Sequence, residues 1–202
     1  MYVELLQINR RIIMTRLETE RLILRNYKES DLNDYWEYVS MENVGPRAGW
    51  PAYTDINKAH ERLLLETKKD TQFAIVLKSE NKVIGSVELM ECTKDRYNNL
   101  EIEDEAKEIG AILSEKYWGN GYMPEAVKEV MRYAFEELHV PVIYAGHAKA
   151  NINSSRMQDK CGLKIIGEVP NYRTWVDGTN TSLIERRLTS EEYFEMKKTL
   201  TK

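Results

Sequence analysis

The chain is short of the residues that staple or metallate small proteins. Two cysteines, Cys92 and Cys161, cannot build a disulfide framework in 202 residues. The three histidines, His60, His139 and His147, lie far apart, and neither HExxH nor CxxC occurs, so no metal centre is expected. No run of about 18 apolar residues reads as a membrane span. Residues 1–14 mix Glu4, Gln7, Asn9, Arg10 and Arg11 into apolar positions, without the apolar stretch or small-residue cleavage site of a secretory signal. A basic surplus is missing as well. Lys and Arg number 29 against 33 Asp and Glu, a net charge of −4, which argues against a non-specific nucleic-acid partner. Repeats, low-complexity tracts and Pro/Gly/Ser linkers are absent. The simplest compartment is the cytoplasm.

What remains is a globular composition, 42% hydrophobic and 31% charged, long enough to bury a core without disulfides. Residues 1–13 read as an extension, because Met14 restarts the chain just before a well-patterned strand. Residues 14–188 read as one domain, with 189–202 as a terminal helix packed on it. Arg21–Arg25 reads as a strand. Ser30 or Asp31 caps a helix to about Met41, and Gly45-Pro46 and Gly49-Trp50-Pro51 break the chain. Asp55 caps a second helix with Ala59, Leu63 and Leu64 as its stripe. Phe73–Leu77 and Val83–Leu89 form a hairpin about Glu80-Asn81, and Asp95–Lys107 reads as an acidic surface loop. Glu108–Leu113 is a strand. Behind Pro124, the positions Val127, Val130, Met131, Ala134, Phe135 and Leu138 share one helical face. Val142–Ala145 is a strand, Asn151–Cys161 a short helix stopped by Gly162, and Leu163–Val169 and Thr181–Arg187 are further strands. The order β-α-α-β-β-β-α-β-α-β-β mixes hairpins with helical crossovers and predicts an α/β fold, a mixed sheet flanked by helices.

The strand–turn–helix unit of 108–125 carries the first chemical signal. A helix start offers free N–H groups and partial positive charge, and the glycines of Gly119-x-Gly121 let an anion approach the backbone. A tight strand–helix turn explains the same glycines equally well. A Walker A loop is absent, and the dinucleotide fingerprint fails because Pro124 occupies its last glycine position. A second cluster, Asn151-Ile-Asn-Ser154-Ser155-Arg156, follows the strand ending at Ala145. A helix cap accounts for one of these residues, and the others can reach a ligand held at the glycine turn.

In this order and spacing the segments resemble the GCN5-related N-acetyltransferases (GNAT), in the branch of ribosomal-protein N-terminal alanine acetyltransferases. Thr19–Arg25 looks like that branch's opening strand. Glu108-Ile109-Gly110 with Tyr117–Tyr122 looks like its acetyl-CoA motif. Asn151-x-x-Ser154 with Lys160–Leu163 looks like its second motif, and Gly167 closes the run that follows. The resemblance covers about 14–188. Two positions depart from the family's loop, which carries Gln or Arg where Trp118 stands and a small residue where Met123 stands. Met123 either crowds the phosphates or fills the core, where methionine packs readily.

The resemblance implies a mostly antiparallel sheet of about seven strands and transfer of acetyl from acetyl-CoA to a primary amine in a ternary complex, without metal. CoA would lie where the fourth and fifth strands splay. Its pyrophosphate would sit on Trp118, Gly119, Asn120, Gly121, Tyr122 and Met123, and its pantetheine arm would pair with Ala111, Ile112 and Leu113 and hydrogen-bond Asn151. An amide of that strand would hold the oxyanion. Glu108 is the first choice for general base and Glu88 the second. Ser154 would serve the departing sulfur, with Tyr172 as the alternative.

Trp50 and Tyr53, in the loop between the first two helices, are expected on the acceptor wall. Trp36, Tyr38, Tyr172 and Trp175 are expected chiefly as packing. Both cysteines are expected to be inert buried thiols. The acceptor is a small molecule or a protein N-terminus, and the acidic stretch Glu101–Glu105 suits a cationic one. Neither a nucleic acid nor a membrane is expected as partner, and both monomer and homodimer fit. Two other readings stand beside this one. The first is a catalytically silent acyl-CoA sensor or interaction module, and the second is a nucleotide-binding α/β domain of another family.

Overall fold

A computed structural model describes residues 16–92, 105–174 and 178–200. Eight strands form one sheet: β1 (Leu17–Glu18), β2 (Leu22–Arg25), β3 (Gln72–Leu77), β4 (Lys82–Glu91), β5 (Lys107–Leu113), β6 (Val142–Ala148), β7 (Lys164–Thr174) and β8 (Asn180–Thr189). Their spatial order is β1-β2-β3-β4-β5-β6-β8-β7, and every pairing is antiparallel except that of β5 with β6. The sheet thus has one strand more than the sequence pattern suggests. The extra one, β1, spans two residues, too few for alternation to register.

Among the described residues, six α-helices cover the two faces: α1 (Leu32–Val39), α2 (Gly45–Ala48), α3 (Ile56–Glu66), α4 (Tyr122–Arg132), α5 (Ile152–Lys160) and α6 (Ser190–Leu200). The α4 stripe behaves as its spacing predicts. Val127, Val130, Ala134 and Phe135 are fully buried, and one turn of π-helix at Tyr133–Glu137 carries the stripe onward. Burial of each large side chain contributes about 1.5–3 kcal/mol. The helix begins two residues before Pro124. Gly121, left-handed at φ 80°, is its N-cap, and proline sits where a helical N–H still lacks an intrahelical partner.

On the other face, Tyr27, Tyr35, Tyr38 and Val39 pack with Ala59 and Leu63 of α3 over β3 and β4. Asp55 caps α3 through the Asn57 amide at 2.9 Å. Asp31 stands at the α1 N-cap, but its carboxylate is spent elsewhere, on the Lys28 amide and the Arg25 guanidinium. The Gly45–Pro51 break holds one helical turn, α2, closed by left-handed Gly49. At the C-terminal end, α6 lays Tyr193 and Met196 on the main core, with the Tyr193 ring stacked on Phe135 at 4.8 Å. Residues 1–15, most of the acidic loop (93–104) and Trp175 lie outside the described residues.

Four buried side-chain atoms lack a hydrogen-bond partner among the described residues, and one of them belongs to a carboxylate of β8. Glu185 on β8 is 4% exposed, and its Oε1 has no hydrogen-bond partner among the described residues. Glycines flank it on both sides, Gly146 on β6 and Gly167 on β7. A Cβ on Gly167 would stand 2.6 Å from Glu185 Oε2. Burial pushes this carboxyl above its ordinary range. A raised folded-state pKa means the fold favours the protonated form. Stability is therefore lost as pH climbs from the unfolded value, about 4.3, through the folded one. Glu185→Gln is expected to raise the urea midpoint at pH 7, by about 1 kcal/mol of stability, and to leave it unchanged near pH 4. An equal gain at both pH values would contradict that account.

Candidate active site

The sheet forks at its one parallel pairing. β5 and β6 meet only at Lys107–Ile143 and Glu108–Tyr144, then part. On its far side β5 stays paired with β4 from Lys107 to Leu113. The Ser114 amide also points that way, donating to the Ile84 carbonyl at 2.8 Å. Alternation along a strand then turns the N–H and C=O groups of Ala111 and Leu113 into the fork. A cleft of about 530 Å³ fills the opening, with Glu108 to Leu113 along one wall and Gly146 to Ala148 along the other.

The glycine turn forms one lip. Gly119 and Gly121 have φ of 81° and 80°, a region glycine enters freely. A Cβ on Gly119 would meet nothing within 4 Å, so conformation, not crowding, selects glycine there. Trp118 lines the cleft, anchored by its indole Nε1, which donates to the Leu113 carbonyl at 2.9 Å. The Arg47 guanidinium lies 5.3 Å over its ring. Arg21 braces the helix start from outside through Glu125 and the Asn120 carbonyl, and stacks 4.5 Å over Tyr122. Burial alone would raise the Glu125 carboxyl, but hydrogen bonds from Thr19 and Arg21 hold it below its ordinary range. Tyr122 and Met123 both line the cleft, and the Met123 side chain, 8% exposed, is part of the core beneath α4. The Asn120 side chain turns away from the cleft, donating to the Tyr117 and Trp118 carbonyls at 3.2 Å.

Helix α5 forms the opposite lip. Asn151 Oδ1 caps it by accepting from the Ser154 amide at 3.1 Å, and both residues line the cleft. Arg156 and Lys160 line it as well, one helical turn apart. Arg186, 2% exposed on β8, clamps this helix by donating to Asp159, Ser155 and the Leu163 carbonyl.

Glu88 and Glu108 share the sheet face toward α1 and α3 and line the cleft together. Their surroundings differ. Glu108 is 2% exposed and sits at the apex of the fork. Glu88 is more open and bound to Lys69 Nζ at 3.1 Å, which also holds Glu66 at 2.9 Å. Burial works against the Lys69 charge, but the two carboxylates outweigh it and raise its pKa. Trp50 lines the cleft, and Tyr53 stands behind it, edge-on at 5.7 Å. Tyr172 also reaches the cleft.

Asn120 and Tyr53 are therefore the two expected site residues that the cleft does not include. Several others in the lining had no motif behind them: Gln72, Ser86, Arg47, His147 and Gln158. Gln158 alone had a signal, its i+4 spacing from Ser154 on one helix. Cys161 is buried and its thiol pushed up to about 12, an inert state. Cys92 is half-buried, more open than expected, because it follows the last residue of β4 at a strand end.

The sheet thus forks between its parallel strands, with a helix start carrying two left-handed glycines at one lip and buried Glu108 at the apex. The sequence matches the family description "Acetyltransferase (GNAT) domain" over residues 21–164, well over half of the chain. The protein belongs to the GNAT acetyltransferase family. It is 27% identical over 165 residues, 79% of this chain and 88% of the relative, to "Uncharacterized N-acetyltransferase p20" of Bacillus licheniformis. The ribosomal-protein-S5-alanine acetyltransferase of Vibrio fischeri superposes with a TM-score of 0.70 at 22% identity, over 89% of this chain and 98% of that one. The spermidine N-acetyltransferase of Vibrio cholerae, solved with CoA and spermine, also gives 0.70, at 18% identity over 87% and 99%. Two neighbours with such different acceptors fit equally well, so the shared scaffold leaves the acceptor open. Among the described residues, no helix is long and apolar enough to cross a membrane.

Proposed function

We propose that the protein moves an acetyl group from acetyl-CoA to a primary amine, by direct attack in a ternary complex, with 14–188 as the catalytic domain. The fork carries the reading. The inward-facing backbone groups of Ala111 and Leu113 have no partner strand there, and they lead onto a helix start with two left-handed glycines. Such an edge takes an extended amide chain like pantetheine as it would take a strand. The N–H groups about Trp118 to Met123 would receive the pyrophosphate. Ile112 borders the arm, Asn151 offers it the amide nitrogen left over from capping, and Arg156 and Lys160 add positive charge.

In the reaction the amine nitrogen attacks the thioester carbonyl, the C–S bond breaks, and an amide and a free thiol result. An amide of β5 stabilises the oxyanion. The amine arrives mostly protonated, since its pKa is about 8 for an α-amino group and about 10.4 for a lysine-like one. Glu108, at the apex, takes that first proton. Glu88, tied to Lys69, serves to attract the cationic acceptor. Trp50 walls the acceptor side. Ser154 donates a hydrogen bond to the departing sulfur, which then takes the second proton released by the nitrogen.

The acceptor is the terminus of a protein or a small amine in the cytoplasm. Thiol release from acetyl-CoA, measured against N-terminal peptides, polyamines, amino acids and aminoglycosides, is expected to depend on at least one of these amines. CoA binding with no release for any amine would instead favour the silent sensor. Met123, whose bulk near the phosphates would weaken cofactor binding and so favour that reading, packs with the core beneath α4.

A further inference from the structure

We infer that His147 and Gln158 form a brace that fixes the direction of the Ser154 hydroxyl and turns its proton into the cleft. The inference rests on the acetyl-transfer reading for its catalytic meaning, but the brace itself follows from hydrogen-bond logic. The Gly146 carbonyl can only accept, so the Gln158 atom 3.4 Å from it is the amide nitrogen Nε2. That sets Gln158 Oε1 toward His147 Nδ1 at 3.0 Å. Oε1 also can only accept, so Nδ1 carries the hydrogen.

The second hydrogen of Nε2 goes to Ser154 Oγ at 3.2 Å. Ser154 is thus an acceptor in the brace, and no acceptor for its own proton is found among the described residues. The open direction is the cleft that it lines. Water cannot readily scramble the arrangement, because Gln158 is 3% exposed and His147 6%. Burial, with the nearby Arg186 charge, also lowers the His147 pKa, so the ring is neutral at neutral pH and held in one tautomer. A proton held toward the cleft is what a leaving thiolate needs. As the C–S bond breaks and its electron pair moves to sulfur, the hydroxyl donates a hydrogen bond. The proton that the thiol finally carries is the one shed by the attacking nitrogen. His147 and Gln158 are positioning residues, acting through Ser154.

Gln158→Glu keeps the size of the side chain and reverses the logic. A carboxylate oxygen cannot donate to Ser154, so the hydroxyl turns to donate to the carboxylate, away from the cleft. The expected result is a loss in kcat of about ten- to a hundredfold, from losing one hydrogen bond to a charged group, with KM for acetyl-CoA little changed. Ser154→Ala is expected to match this loss, and the double variant to add nothing further. A wild-type kcat in Gln158→Glu would overturn the inference. So would a further drop when Gln158→Glu is added to Ser154→Ala, since that marks a merely structural role. The tautomer is read directly from the imidazole nitrogen resonances of the unmodified protein. Hydrogen on Nδ1 is expected, and hydrogen on Nε2 alone would overturn the brace whatever the kinetics. If the unmodified protein releases no thiol with any amine, the acetyl-transfer reading fails and the tautomer still decides the brace.

Discussion

Glu108→Gln is expected to lower kcat/KM for amine acetylation by about 10²- to 10⁴-fold at neutral pH, the usual weight of a positioned general base. That corresponds to about 2.7–5.4 kcal/mol of transition-state stabilisation. The substitution is isosteric at a position 2% exposed, so the strand and its packing are expected to survive and the melting temperature to change little. What is lost is a proton acceptor at the apex of the fork, where β5 and β6 are last in register. The pH dependence carries the diagnosis. In the variant the amine must shed its proton to water, so the rate climbs tenfold per pH unit up to the amine's own pKa. In the unmodified protein the base removes that requirement and the climb is shallower. Glu88→Gln serves as the comparison. It breaks the ion pair with Lys69 and is expected to raise the acceptor KM more than it lowers kcat. If the two variants exchange these phenotypes, the base is Glu88.

The split between these carboxylates marks the limit of what the sequence reveals. Both glutamates are visible as charges on neighbouring strands. Nothing local says that one is sealed at a fork and the other held by a lysine nineteen positions away on the chain, just past α3. The fork itself is equally hidden. It arises because β5 and β6 share only two paired positions, a property of long-range register and not of either strand's composition. The glycine turn was legible because its cause is local, two residues at positive φ between a strand and an amphipathic helix. Met123 has two readings in the sequence, crowding the phosphates or filling the core, and the burial of its side chain beneath α4 favours the core. His147 and Gln158 had no motif, because their meaning lies in one hydrogen-bond chain linking β6 to α5. Asn120 looked like a ligand residue because it sits between the glycines, yet its amide is used up in closing the turn.

The most disruptive single methyl group is expected at Gly85. Between Ile75 and Val76 the register of β3 against β4 slips: Ile75 pairs with Gly85 and Val76 with Val83, leaving Ile84 as the extra residue. Such a bulge sharpens the local twist, and Gly85 beside it lies hard against β5. A Cβ on Gly85 would lie 2.2 Å from the Ile112 carbonyl oxygen and 2.9 Å from Leu113 Cα. Both are backbone atoms in the middle of the sheet, so no side chain can swing aside. Gly85→Ala is expected to cost about 3–4 kcal/mol, at or beyond the upper end of ordinary overpacking. That is a fall in melting temperature on the order of 10 °C for a chain of this size. The displaced segment is also the cleft wall, and Leu113 anchors the Trp118 indole. The folded fraction is therefore expected to bind CoA more weakly in a titration below the melting point. Gly119→Ala provides the contrast. Its Cβ would meet nothing, so only the left-handed backbone is penalised, at about 1 kcal/mol. If Gly85→Ala costs no more than Gly119→Ala, the two central strands do not approach this closely.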